Sequence, residues 1–341
     1  MGRLSAPRRI PRSLLLLPIL LALWFVGQER GPVVVVYTSL DPVFSRTVLG
    51  EFERETGIRV RAVFDTEATK TTGLIERLRR ERARPTCDVL WSNEPLRTIR
   101  LAHAGHFAPY VSASALGIPL EFRDPAGLWT GFAARARVVA FDPQRLPAEQ
   151  VPKTLDGLLD PQFRGEVAVA DPRFGTTGSH FGALLAQWGE GRYRTFLESL
   201  VANDVQVVAG NSTSRDRVLS GEALLGLTDT DDVEVARRAG DSIAEGFFSS
   251  DGTLVLPNTV SLIAGAPHPE AGRALIDFLL DPAREELLAA SPSRQIPLRP
   301  SVIVPPGGLR LDDVARQAVS LEDAAEALPR ALEIAREVFG L

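Results

Sequence analysis

The stretch Val33-Val34-Val35-Val36-Tyr37-Thr38-Ser39 decides the fold class of this 341-residue chain. Four consecutive valines are typical of a strand that is buried on both faces, and the hydroxyl residues after them mark its polar end. An amphipathic helix is expected at residues 43–56, closed by Gly57, and a further apolar strand at residues 58–64. A strand, a helix and a second strand predict an α/β sheet with crossover helices.

The same alternation of strands and helices continues along the chain. Strands are predicted at residues 87–91, 128–142, 166–170, 205–208, 223–228 and 254–264. Helices are predicted at residues 71–84, 179–189, 213–220, 269–280, 282–290 and 321–339, with a loop at 171–178 and a further helix starting at Pro95. The long apolar strand at 128–142 is expected to carry the chain from a first lobe to a second.

Residues 1–30 predict export. An apolar run at residues 13–26 follows four arginines, Arg3, Arg8, Arg9 and Arg12. The run is shorter than the roughly 20 residues that span a bilayer comfortably, which is typical of a signal peptide. No small-x-small cleavage site follows it, so an uncleaved membrane anchor is the alternative. In both cases the rest of the chain is expected outside the cytoplasm, in the periplasm or its equivalent.

Composition excludes several classes of protein. The formal net charge of −5 argues against a nucleic-acid partner. The only cysteine, Cys87, cannot form an intramolecular disulfide. The GxSxG, HExxH, Walker and GxGxxG motifs are absent from the sequence, so we expect neither catalysis nor a cofactor, and we expect a monomer.

Polar residues stand at the predicted strand ends, where open α/β sheets bind their ligands. The candidate ligand-binding residues are Thr38, Ser39, Asp41, Lys70, Ser92, Asn93, Thr176, Thr177, Ser179, Asn211 and Asp229. The alternative interpretation is that these side chains only cap the helices that follow. The two roles are compatible, because the N-terminus of a helix also binds anions.

Several motifs extend this interpretation. They are Val35-Val36-Tyr37-Thr38-Ser39, Phe52-Glu53-Arg54-Glu55-Thr56-Gly57-Ile58, Asp88-Val89-Leu90-Trp91, Leu128-Trp129-Thr130-Gly131-Phe132, Gly221-Glu222 and Gln295-Ile296-Pro297-Leu298. With these motifs the chain resembles the ferric-iron-type periplasmic binding proteins of ABC importers. The resemblance implies a type II fold of two α/β lobes, each a mostly parallel sheet with flanking helices, joined by crossover strands. The expected lobes are residues 33–130 plus about 258–300, and residues 131–257 plus about 301–341.

The resemblance also implies a role. Such proteins close their lobes on a ligand in the cleft and deliver it to a membrane permease. Typical ferric members carry two adjacent tyrosines after the strand that follows the Gly-Glu pair, and by position these fall on Asp231 and Asp232. Some members use a histidine in the first loop, where this chain has Asp41.

Two interpretations of the ligand stay open. Ferric iron prefers oxygen ligands, so Asp41, Glu94, Asp231 and Asp232, or Glu67, are candidates for holding it or another metal. In the other interpretation the site takes an organic solute: a phosphonate, a sugar phosphate or a polyamine. Lys70 and the hydroxyls near Thr176 would then hold an anionic group. An anchored sensor and a secreted hydrolase are the rival classes.

Overall fold

The computed structural model describes residues 31–65 and 72–341. The predicted signal or anchor segment, Glu67 and Lys70 lie outside the described residues. Within the described part of the chain, no helix is both long enough and apolar enough to cross a membrane.

Within the described residues, ten strands form one continuous sheet. The strands are β1 (Val33–Thr38), β2 (Arg59–Phe64), β3 (Val89–Ser92), β4 (Phe107–Ala108), β5 (Thr130–Phe141), β6 (Val167–Ala170), β7 (Gln206–Val208), β8 (Leu225–Asp229), β9 (Ala244–Gly246) and β10 (Val255–Ile263). Their order is β2-β1-β3-β10-β5-β8-β6-β7, with β4 against β10 and β9 against β5.

The helices follow the strands in the chain, and the last three come after β10. They are α1 (Pro42–Thr56), α2 (Thr72–Glu81), α3 (Pro95–His103), α4 (Gly175–Ala202), α5 (Asn211–Leu219), α6 (Thr230–Ala239), α7 (Pro269–Leu279), α8 (Pro282–Ala290) and α9 (Leu321–Phe339). Prolines begin α1, α3, α7 and α8, where the missing N–H costs no hydrogen bond.

Two parallel sections of the sheet flank a pair of antiparallel crossover strands. β1 pairs in parallel with β2 and β3, and β6 pairs in parallel with β7 and β8. Between these sections, β5 and β10 run antiparallel to each other, with Val255 opposite Ala136 and Val260 opposite Thr130. The chain therefore crosses between the two halves along β5 and returns along β10. The predicted α/β fold with two joined lobes is confirmed.

Each half of the molecule buries its own apolar core. The larger core includes Phe52, Trp91 and Phe132, and the second includes Phe181 and Tyr193. Helix α9 contributes to both cores, through its first two turns to the larger one and through its later turns to the second. The residue limits of the two lobes stay a prediction.

The structure corrects two of the predicted elements. The predicted loop at 171–178 is right for residues 171–174 and wrong for 175–178, because α4 begins at Gly175 and continues past a non-helical Gly189 to Ala202. Glycines and threonines weaken a helical pattern in sequence, but burial of the following face against α9 overrides that preference. The sequence also did not predict α6, since its first turn is the polar stretch Thr230-Asp231-Asp232.

Candidate functional site

A cleft opens where the ends of β1, β3 and β8 meet β5. It is lined by Asp41, Asn93, Arg135, Phe174, Gly175, Thr176, Ala209, Gly210, Asn211, Asp229, Asp231 and Asp232. About 50 Å³ is open to water-sized species in this conformation. One water needs roughly 10–15 Å³ by the same measure, so the closed cleft has room for an ion with a few waters.

Asp229, at the end of β8, is held by a dense set of donors. Arg137 Nη1 lies 2.9 Å from Oδ1. Three groups donate to Oδ2: Thr176 Oγ1 at 2.6 Å, Asn211 Nδ2 at 3.0 Å and Arg135 Nε at 3.2 Å. Burial alone would raise the pKa of Asp229, but the two guanidinium groups outweigh it and lower that pKa. Asp229 therefore stays ionised.

The two arginines come from alternate positions of β5, so both face the same side of the sheet. Arg137 is fully buried and also donates to Thr177 Oγ1 at 3.2 Å and Asn211 Oδ1 at 3.1 Å. Arg135 donates to the main-chain oxygen of Asn93. Sequence reasoning missed both residues. The sequence did contain a clue, because two arginines separated by one residue interrupt an otherwise apolar strand. Buried charges require partners, so this pattern predicts nearby carboxylates.

Asp231 and Asp232 occupy the first turn of α6. Asp229, Asp231 and Asp232 each offer an oxygen, and these atoms lie within 4.8 Å of one another. Burial raises the pKa of Asp231 to about 8, with contributions from the carboxylates of Asp232, Asp229 and Asp41 that exceed the opposing effect of Arg135. Four carboxylates thus face two guanidinium groups, and the cleft favours a cation.

The opposite wall is formed by the loop after β1 and the end of β3. Asp41 precedes α1, and its side chain makes no capping bond to that helix. Ser39 Oγ donates to Asn93 Oδ1 at 2.8 Å and accepts from the Asn93 N–H at 3.0 Å. These bonds fix Asn93 at the cleft. Thr38 is fully buried behind it, where its hydroxyl accepts from the Leu40 N–H.

Several predicted site residues lie behind the cleft wall. Glu94 is fully buried at the start of α3, where its carboxylate accepts from the Arg97 N–H at 2.8 Å. Burial raises the pKa of Glu94. The Ser92 hydroxyl accepts from the Glu94 N–H, and Thr177 and Ser179 are buried in α4. Hydrogen bonds within the protein account for Ser92, Glu94 and Thr177, whereas the buried Ser179 hydroxyl has no partner among the described residues. The assignment of Glu94 as a metal ligand stays a prediction.

Residues 85–306 match the family described as bacterial extracellular solute-binding protein. This chain belongs to that family. The solute-binding protein is 27% identical over 314 residues to Iron uptake protein A1 of Synechocystis, an alignment that covers 89% of this chain and 86% of that protein.

Solved structures of this fold include two informative neighbours. Iron-bound HitA from Pseudomonas aeruginosa has a TM-score of 0.82 at 23% identity, covering 91% of this chain and 100% of that one. AfuA from Actinobacillus pleuropneumoniae, with fructose-6-phosphate bound, has a TM-score of 0.79 at 20% identity, covering 92% and 99%. At these sequence identities the structural similarity is evidence for the fold alone. It confirms the predicted type II periplasmic-binding-protein architecture.

Proposed function

We propose that this solute-binding protein captures ferric iron, free or chelated, in the cleft and delivers it to the membrane permease of an ABC importer. The observation that carries the proposal is the set of three carboxylates, Asp229, Asp231 and Asp232, whose ligand oxygens lie within 4.8 Å of one another. Asp41 lies close enough on the facing wall to raise the pKa of Asp231. Carboxylate oxygens are hard donors that suit a hard cation. The names Iron uptake protein A1 and iron-bound HitA support the same cargo.

The electrostatics of the cleft support a cation of high charge. Partial burial, and next to it the neighbouring carboxylates, raise the pKa of Asp231 to about 8, so it retains a proton near neutral pH. A trivalent ion removes this repulsion and favours the ionised form. Binding of ferric iron should therefore release a proton near pH 7, which calorimetry in buffers of different ionisation enthalpy would detect.

Carboxylates rather than phenolates supply the proposed ligands. Among the described residues that line the cleft there is no tyrosine. Tyr37 donates to Glu81 at 2.8 Å, Tyr110 to Asp277 at 2.8 Å, and Tyr193 to the Ala331 main-chain oxygen at 3.1 Å. A ferric complex of this protein should accordingly lack the visible absorption that phenolate-to-iron charge transfer produces.

An organic solute is the alternative cargo. Asn93, Thr176 and Asn211 line the cleft and can exchange hydrogen bonds with hydroxyl or amino groups. AfuA, which has a similar fold, was solved with fructose-6-phosphate. The excess of carboxylates here favours a polyamine over a phosphonate or a sugar phosphate, and the small closed volume requires the lobes to open for any of them.

The remaining parts of the proposal concern location and partners. The protein is exported, is released or tethered through residues 13–26, and acts as a monomer on its permease without catalytic turnover. The family description as extracellular supports export. Cell fractionation with N-terminal sequencing distinguishes a released protein from an anchored one. An anchored sensor would be retained at the membrane and would have no permease partner in a pull-down.

The decisive experiment measures thermal unfolding of metal-stripped protein with ferric citrate, spermidine, fructose-6-phosphate or methylphosphonate. A ligand at 100 times its dissociation constant stabilises the folded state by about 2.7 kcal/mol. We expect ferric citrate to raise the melting temperature of the wild type and of Asp241→Asn, whose carboxylate is exposed on another surface. We expect no response from Asp231→Ala/Asp232→Ala.

The other outcomes discriminate between the candidates. A response to spermidine or a phosphorylated compound, with none to ferric citrate, supports the organic alternative. A ferric response that survives Asp231→Ala/Asp232→Ala contradicts the carboxylate site. No response to any of the four compounds argues against solute capture in this cleft.

A further inference from the structure

A pocket separate from the cleft lies between the helices α2, α3 and α9. It has a volume of about 190 Å³ and shares no lining residue with the cleft. Three arginines line it, Arg79 from α2 and Arg97 and Arg100 from α3. The rest of the wall is mostly apolar and includes Ile75, Leu328, Pro329 and Leu332. One water needs roughly 10–15 Å³ by the same measure, so a small anion fits together with several waters.

Arg100 is held at this pocket by a carbonyl group that a proline leaves free. Pro329 lies inside α9 and has no N–H, so the Ala325 oxygen four residues earlier receives no helical hydrogen bond. Arg100 Nη1 donates to that oxygen at 3.3 Å. The Nε and Nη2 atoms of Arg100 make no hydrogen bond within residues 31–65 and 72–341, and both are open to solvent. The guanidinium group is therefore fixed at one corner and leaves two donor nitrogens free beside the pocket.

Positive charge exceeds negative charge around the pocket. Glu76 pairs with Arg79 at 2.5 Å. Glu94 Oε2 lies 3.7 Å from Arg97 Nη1. Arg100 has no carboxylate within ion-pair distance in the described parts of the chain. Burial lowers the pKa of Arg100, and repulsion from Arg79 and Arg97 lowers it further. An anion bound here relieves that repulsion, so the pocket selects negative charge.

The three arginines can serve an anion in different ways. Arg97 Nη1 is buried, and Arg97 Nη2 already donates to the Arg173 main-chain oxygen, so Arg97 contributes its charge without a contact. Arg79 uses Nη1 for Glu76, but its side chain is 47% exposed and keeps other nitrogens accessible. Direct hydrogen bonds can therefore come from Arg79 and Arg100. The planar guanidinium group matches the oxygen spacing of phosphate and can donate two parallel bonds to it.

We propose that this pocket binds a phosphate group, supplied by inorganic phosphate or by a small phosphate ester. Arg100 and Arg79 donate to the phosphate oxygens, and Arg97 adds attraction from behind the wall. A phosphate is favoured over a carboxylate because three like charges surround the pocket and phosphate carries more negative charge at pH 8. This site is independent of the proposed iron capture, since its lining residues are not those of the cleft.

The test titrates the metal-stripped full chain at pH 8 with inorganic phosphate, glycerol 1-phosphate and acetate, at one ionic strength set with sodium chloride. Calorimetry and phosphorus NMR follow the binding. We expect at least one phosphate compound to bind with a Kd of about 1 mM or tighter, and about tenfold more tightly than acetate. Binding of both compounds or of one supports the proposal and identifies the source of the phosphate group.

Two variants each remove one donor and one charge. Arg100→Gln and Arg79→Gln should bind phosphate about tenfold more weakly than the wild type, because each loses a charge-assisted hydrogen bond. Both should keep the melting temperature, since Arg79 is exposed and loss of Arg100 relieves repulsion. The control is Arg84→Gln, which removes an exposed arginine that does not line the pocket and should bind phosphate like the wild type.

A further variant separates this pocket from the cleft. Asp231→Ala/Asp232→Ala should bind phosphate like the wild type, because neither aspartate lines the pocket. Loss of phosphate binding in that variant would place the phosphate in the cleft and overturn the proposal. The proposal is also overturned if neither phosphate compound binds at about 10 mM, if acetate binds equally well, or if Arg100→Gln and Arg79→Gln bind like Arg84→Gln. A missing response to ferric citrate concerns the cleft alone and leaves the phosphate titration as the measure of this pocket.

Discussion

Asp231 is the residue at which the proposed capture of a cation and the stability of the fold conflict most directly. Its pKa, about 8 in the folded protein against an ordinary 3.8, means that the folded state holds a proton that the unfolded state releases. This group's contribution to stability is therefore present at low pH and is lost as the pH rises from about 4 to 8. A site that holds crowded carboxylates ready for a cation is destabilised by them in the absence of that cation.

We predict that Asp231→Asn stabilises the metal-stripped protein. At pH 8 the free energy of unfolding should rise by roughly 1–3 kcal/mol, and the gain should vanish near pH 4, where both states carry the proton. Urea unfolding at the two pH values measures this. Asp241→Asn is the matched control and should show no such pH dependence. A gain of equal size at both pH values would contradict the electrostatic explanation.

His180 makes the stability of the folded protein depend on pH in the opposite direction. It is buried in α4, and neither ring nitrogen has a hydrogen-bond partner among the described residues. Burial, assisted by Arg137, lowers its pKa from 6.5 to about 3. The folded state therefore requires neutral His180, and stability is lost as the pH falls below 6.5 toward 3. Asp229 does not contribute to this pH dependence, because its pKa is lowered from 3.8 and its stabilising effect is lost only at more acid pH.

Between pH 7 and pH 5 we predict that the free energy of unfolding falls by about 2 kcal/mol more in the wild type than in His180→Phe. Phenylalanine suits the site, since the imidazole already lies 6.4 Å from the Phe248 ring. Urea unfolding at each pH gives the comparison. His103→Gln, at an exposed imidazole, should behave like wild type. Equal losses in all three proteins would exclude His180 as the acid-sensitive group.

At the scale of elements, α4 depends on a glycine within it. Gly189 has φ 75° and ψ 165°, a conformation that L side chains rarely adopt, and it divides the helix into two segments. Gly191 follows two residues later without a positive φ. No atom lies within 4 Å of an added Cβ at either position, so the two glycines differ in backbone conformation rather than in space.

We therefore predict opposite effects of one substitution at these positions. Gly189→Ala should destabilise the protein by roughly 1–3 kcal/mol. Gly191→Ala should stabilise it by about 0.5–1 kcal/mol, because alanine loses less backbone entropy in a helix. Thermal and urea unfolding provide both values. Effects of the same sign would show that the kink is not set by the backbone of Gly189.

At the scale of the whole molecule, a few polar contacts join the two halves across the cleft. Arg97, on α3, donates to the main-chain oxygen of Arg173 at 2.8 Å. Arg135, on β5, donates to the main-chain oxygen of Asn93. The Arg97 bond joins segments from the two halves, so it favours the conformation in which these segments lie together.

We predict that Arg97→Met shifts the protein toward an open form and weakens ligand affinity by about tenfold, since a bond from a charged donor contributes about 1.5 kcal/mol or more. Calorimetry measures the affinity, and small-angle scattering should show a larger radius of gyration for the variant. Arg80→Met removes an exposed arginine of α2 and is the control. Unchanged affinity with an unchanged radius would exclude a role of Arg97 in closure.

The sequence by itself determined the fold class, most of the elements and about half of the residues that line the candidate cleft. Valine runs, helical periodicity and proline positions are local properties, so most helices and all strands except the short β4 and β9 followed from them. Asp229, Asp231 and Asp232 were found because they are adjacent in the chain and follow a strand. The loop before residue 179 and the absence of α6 were errors of the same local kind, since polar helix starts resemble loops.

Only the tertiary structure decided how the charges are distributed. Arg135 and Arg137 neutralise Asp229 across more than 90 residues of sequence, and Asp41 reaches Asp231 from the other wall. Glu94, one of the sequence candidates for the metal, caps α3 behind the cleft, a contact that no local pattern predicted. The physical reason is that charge compensation and burial depend on which distant segments meet, whereas hydrophobic periodicity depends on neighbours along the chain.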